Sequence, residues 1–150
     1  MTLALDVDGL KHALGRWQDD PIASGLHARR LALAIAREHM RAGWDVVIGQ
    51  YLARTDFIEQ LERLCTESDA MFVEVVLDLS SSELAARLAS RAAAPSRTEH
   101  LVNNQLVIPD DAQHFIESLR GIRETRPNAI WVAAQGTVAQ TLDRLCIVVG

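Results

Sequence analysis

The stretch Met71 to Arg91, MFVEVVLDLSSSELAARLASR, most limits what this chain can fold into. Its near-continuous apolar run, Phe72 to Leu79, is rich in branched side chains, which fit a pleated surface better than a helix. Apolar residues at successive positions face both sides of a sheet, so the run suits a central strand covered on both faces. The serine cluster stops it, and Ser81 or Ser82 caps a helix running to about Ala94. Arg87 and Arg91 then lie four residues apart on one face of that helix. Strand, polar corner and helix in this order form one repeat of an α/β sheet.

The rest of the chain keeps that alternation, which predicts a mostly parallel sheet with helices on both faces. Further strands are expected at 3–7, 45–52 and 129–134. Asp8 to Leu14 reads as a helical turn with Asp8 as its cap, and Gly15 to Gly25 as a turn-rich polar loop. Leu26 to Ala42 reads as a helix that Gly43 closes. Thr55 caps a helix from Asp56 to Thr66. Asp110 to Arg123 and Thr137 to Leu145 complete the helices. Pro95 to Pro109 has no periodicity and reads as a mobile segment. The 150 residues fit a single domain.

Composition narrows the function classes. With 49% apolar and 23% charged residues, the chain has the balance of an ordinary folded domain. A net charge of -5 disfavours a nucleic-acid partner, whose footprint is usually basic. No apolar run reaches membrane-spanning length and no secretory leader opens the chain, so a cytoplasmic location with no membrane partner is expected. Cys65 and Cys146 have neither CxxC nor Cys/His spacing, and read as reduced core residues. Lys11 is the sole lysine beside fourteen arginines. That bias fits either planar phosphate recognition or a GC-rich genome.

Several residues could carry chemistry. Asp6 and Asp8, two apart at a strand end, point toward the carboxyl edge of the sheet, where open α/β folds bind ligands. One could orient a substrate hydroxyl or accept its proton while the other helps to hold Mg²⁺. Alternatively Asp8 is only a helix cap and Asp6 a solvated loop residue. Arg29 falls on the apolar arc of its helix, with Leu33, Ala36 and Met40, so it must snorkel, pair or line a cleft. Arg16 in the preceding loop is a second substrate-binding candidate. Gln50, near the end of the second strand, can orient a hydroxyl. His39 faces the apolar arc at the far end of the helix and reads as a hydrogen-bonded core histidine. Arg87 and Arg91 could clamp a phosphate, or Arg87 could simply pair with Glu83 one turn away.

In this order, DVD at Asp6–Asp8, the strand at Asp45–Leu52 and the strand–serine–helix unit with Arg87 and Arg91 resemble the small-molecule kinase branch of the P-loop family. Zeta-toxin, chloramphenicol-phosphotransferase and gluconate-kinase-like proteins belong to it. The resemblance covers Leu3 through the terminal helix. It implies a three-layer fold, ATP with Mg²⁺, catalytic roles for Asp6, Asp8, Arg87 and Arg91, and a place for Gln135 and Gly136 beside the adenine. It also has gaps. No GxxxxGK[ST] occurs in the sequence, and Lys11 follows no glycine-rich loop. Where such families close a strand with an acid that serves Mg²⁺, this chain has Ile48-Gly49-Gln50.

The absent first strand would lie between those matching Asp45–Leu52 and Met71–Leu79. Three outcomes are open: the protein begins upstream of Met1, the two inner strands pair directly, or a second chain supplies the strand in a homodimer. The functional expectation is an ATP-dependent phosphotransferase acting on a small hydroxyl-bearing molecule, incomplete or inactive as residues 1–150. The alternative is a non-catalytic binding or interaction module built on the same fold.

Overall fold

A computed structural model describes residues 1–52, 54–95 and 107–150. The protein is a mixed α/β chain, as expected, and its described strands form two separate parallel pairs where a single sheet was expected. It divides into two compact units, Met1–Phe72 and Val73–Gly150.

In the first unit, β1 (Thr2–Leu5) pairs in parallel with β2 (Asp45–Ile48), Thr2 opposite Asp45 and Leu5 opposite Ile48. Helices α1 (Val7–Ala13), α2 (Pro21–Arg41) and α3 (Asp56–Glu67) accompany them. Two helix starts differ from the sequence reading. Asp6, not Asp8, caps α1, its carboxylate accepting from Gly9 N at 3.0 Å. The loop expected through Gly25 already ends at Asp20, which caps α2 by accepting from Ala23 N at 2.9 Å. Pro21 follows at the first helical position, where its missing N–H costs nothing and its fixed φ suits a helix. At the other end, Gly43 adopts φ +80° and donates to Met40 O at 2.9 Å, while Trp44 N donates to His39 O at 3.3 Å. This pair of bonds terminates α2 where the sequence placed its stop.

The core of this unit gathers Leu5 and Val7 from the first strand and helix, Ala28, Ala32 and Ala36 from α2, and Phe57 and Leu64 from α3. The three alanines, one turn apart, let α2 approach its neighbours closely. His39 is half-buried and its Nε2 lies 3.3 Å from Met1 O, as a hydrogen-bonded histidine should.

In the second unit, β3 (Val75–Asp78) pairs in parallel with β4 (Ile130–Ala133). Helices α4 (Ser81–Ala93), α5 (Ala112–Thr125) and α6 (Val138–Val149) follow in chain order, with a short 3₁₀ turn at Pro109–Asp111. Ser80 caps α4 in a reciprocal box with Glu83, one residue before the serines expected to do so. Leu79, Ile116 and Ala134 form a small core with Leu84 against it. The run expected to be a doubly covered strand over 71–79 is shorter and more open. Only 75–78 is in the ladder, and Leu77 is 42% exposed. Glu74 marks its start, because its carboxylate accepts from Arg126 Nε at 2.8 Å in a largely buried ion pair. Of the segment Pro95–Pro109, expected to be mobile, residues 96–106 lie outside those described.

Candidate functional site

The carboxyl ends of β1 and β2 open onto a cleft of about 350 Å³ in the first unit. Three of the residues singled out in the sequence line it: Asp8, Arg29 and Gln50. Each arrives for a local reason. Asp8 sits in the first turn of α1, two residues beyond the cap, and so turns inward where Asp6 does not. Gln50 follows the last residue of β2. Arg29 lies beside the buried stripe of α2, and its guanidinium sits 5.6 Å from the centroid of the Phe57 ring. That contact resolves the problem of a cation on an apolar arc: the ring face stabilises the charge while its head reaches the cleft.

Asp8 and Gln50 touch. Gln50 Nε2 donates to Asp8 Oδ1 at 3.4 Å, which is long for such a bond. The other end of the amide, Gln50 Oε1, is buried and has no hydrogen-bond partner among the described residues. An unpartnered buried acceptor costs about 1–3 kcal/mol, which a ligand donor would recover. A carboxylate and a free amide oxygen side by side are acceptors suited to a hydroxyl.

Two further cations line the cleft, Lys11 and Arg54. Lys11 Nζ lies 4.9 Å over the Trp17 ring. Among the described residues neither they nor Arg29 forms an ion pair with a carboxylate. A signal for Lys11 was present in the sequence, since it lies three residues after Asp8 and therefore on the same helix face. Arg54 carried none, being a loop residue placed only by the fold.

Two candidates are elsewhere. Asp6 is not part of the cleft lining and serves as a cap. Arg16 occupies a turn with φ +60°, pairs with Asp19 at 2.7 Å and is 88% exposed at its side chain.

The remaining four candidates belong to the second unit. Arg87 Nη2 donates to the carbonyls of Ala134 and Gly136, the latter at 3.2 Å. Arg144 Nη1, from α6, donates to the carbonyls of Ala133 and Gln135, both at 2.9 Å. The carbonyls of an extended segment point alternately to opposite sides, and two arginines take them in alternation. Gly136, with φ +92°, makes the turn into α6. Gln135 and Gly136 are thus fixed through their backbone oxygens, and Arg87 is held by them rather than by Glu83. Arg91 lies half-buried one turn further along α4.

No protein-family model, curated protein or solved structure matches this chain. Among the described residues, no group of three His, Cys, Asp or Glu side chains is placed to hold a metal ion, and no helix is long and apolar enough to cross a membrane.

Proposed function

We propose that the protein is a phosphotransferase scaffold of the P-loop kinase type, whose first unit holds a small hydroxyl-bearing substrate. The observation that carries this reading is the convergence of Asp8, Arg29 and Gln50 on one cleft at the carboxyl ends of β1 and β2. Asp8 orients the substrate hydroxyl and accepts its proton. Gln50 Oε1 accepts from a second donor on the substrate, and Arg29 bounds the pocket.

The strand pairing supports the finer architecture. Within each unit the strands pair in parallel, β1 with β2 and β3 with β4, as neighbouring strands of such a sheet do. We propose a three-layer sheet completed by a strand from outside residues 1–150, either upstream in the same chain or from a second copy. The residues present do not fit magnesium triphosphate by themselves. Asp8 is the sole carboxylate among the residues lining the cleft, and glutamine closes β2. Triphosphate binding therefore falls to backbone donors and a lysine that the completing strand brings.

Titration calorimetry tests both parts. The 150-residue chain is expected to bind ATP with Mg²⁺ weakly or not at all, and a chain extended upstream through an in-frame strand and GxxxxGK[ST] to bind it. In the extended chain Asp8→Asn is expected to abolish phosphotransfer while ATP binding remains. Micromolar, magnesium-dependent ATP binding by residues 1–150 alone overturns the reading.

A second reading is a non-catalytic binding module. What favours it is Arg87, whose guanidinium holds two backbone carbonyls instead of standing open for a phosphate. Retained phosphotransfer in the extended chain decides against it.

A further inference from the structure

The charge of the cleft narrows the substrate class. Lys11, Arg29 and Arg54 face it against the single carboxylate of Asp8, a local balance of +2 (3 − 1) in a chain whose net charge is -5. Cations gathered in a concave site attract an anion, and the attraction strengthens as the ligand displaces water. The first turn of α2, at Pro21, Ile22 and Gly25, borders the same cleft. The amino end of that helix adds roughly half a positive charge, although Asp20 already accepts from Ala23 N there. The two aromatic contacts fix the cations without neutralising them.

We propose that this cleft takes a polyol bearing one anionic group, a phosphate or a carboxylate, and discriminates against amino-alcohols. The inference rests on the hydroxyl-site reading above and adds the anion. The hydroxyl meets Asp8 and Gln50, while the anion meets the cationic side formed by Lys11, Arg29 and Arg54. Arg54 is exposed and Lys11 half-buried, so both can move onto a ligand without opening the core.

Four sugars on one ring scaffold test it by calorimetry on the 150-residue chain: glucose, glucose 6-phosphate, glucuronate and glucosamine. At least one of the two anionic sugars is expected to bind about tenfold or more tighter than glucose, with glucosamine weakest. Comparing the two separates phosphate from carboxylate. Arg54→Gln and Lys11→Gln are each expected to weaken anion binding about tenfold, the loss of one hydrogen bond to a charged group, and added salt to weaken it further. Arg63→Gln, an exposed charge on α3, controls for net charge and should leave the preference intact. Anionic sugars binding no tighter than glucose overturn the inference, as does the absence of binding by all four. If charge makes no difference while Asp8→Asn still abolishes binding, the anion fails and the hydroxyl site stands. If Asp8→Asn leaves every sugar bound as before, the hydroxyl reading fails instead.

Discussion

Replacing Gly136 with alanine should destabilise the second unit by two separable routes. The first is backbone strain. At φ +92° a residue with a Cβ pays about 1–2 kcal/mol that glycine does not. The second is steric. The new methyl would fall inside the van der Waals radius of Gln140 Oε1 and 3.4 Å from Gln140 Cδ. That oxygen is engaged: it accepts from Thr137 N at 2.9 Å, while Thr137 Oγ1 accepts from Gln140 N at 3.2 Å, together capping α6. Displacing the amide forfeits one arm of the cap, worth about 1 kcal/mol. The sum is about 2–3 kcal/mol. Equilibrium unfolding in urea measures it, and a double-mutant cycle with Gln140→Ala separates the parts. In the Gln140→Ala background Gly136→Ala should cost only the strain, about 1–2 kcal/mol. Equal costs in the two backgrounds would refute the steric route, and a neutral Gly136→Ala would refute both.

Glu74→Ala should cost about 3 kcal/mol, because it takes from the largely buried Arg126 guanidinium the carboxylate to which it donates, whereas Glu74→Met with Arg126→Met should be less costly than Glu74→Ala in the same unfolding assay. Ala32→Leu should destabilise the first unit by about 1–3 kcal/mol through overpacking, since Ala32 is fully buried; a neutral result would show slack in the core around α2. Burial, and secondarily the Glu62 carboxylate, push the Cys65 thiol above its ordinary value. The thiolate is the reactive form, so alkylation followed by mass spectrometry at neutral pH should label exposed Cys146 first. The Cys65 rate should keep rising with pH after an ordinary thiol has levelled off, and labelling of Cys65 ahead of Cys146 would contradict this.

What was legible in the sequence was mostly what local rules govern. Arg29 stood out because a charge on an apolar arc has few solutions, and Asp8 and Gln50 because strand ends converge on one edge of an α/β sheet. The start of α2 was missed although Asp20-Pro21 is a cap followed by the residue best suited to a first helical position; the polar run before it masked the signal. Asp6 and Asp8 exchanged roles because a two-residue shift in where α1 begins decides which carboxylate caps and which turns inward. The role of Arg87 was invisible, since the carbonyls it holds lie about fifty residues away and nothing near it announces them. The run 72–79 reads as a long buried strand only if Glu74 is ignored, and its partner Arg126 is likewise distant in sequence.

Each parallel ladder closes within its own part of the chain, which sets an order of events during synthesis. Thr2 meets Asp45 across 43 residues (45 − 2), and Val75 meets Ile130 across 55 (130 − 75). The entropic costs of the two closures differ by only about 0.2 kcal/mol, since the cost grows with the logarithm of loop length. Timing differs far more. The last partner of the first ladder is Ile48 and that of the second is Ala133, 85 residues later (133 − 48). At typical ribosomal speeds that is roughly 4–17 s, long compared with the tens of nanoseconds to about a microsecond in which loops close and helices form. The strands and helices that shape the cleft are therefore all synthesised seconds before β4 exists, and that half of the chain has the first opportunity to fold.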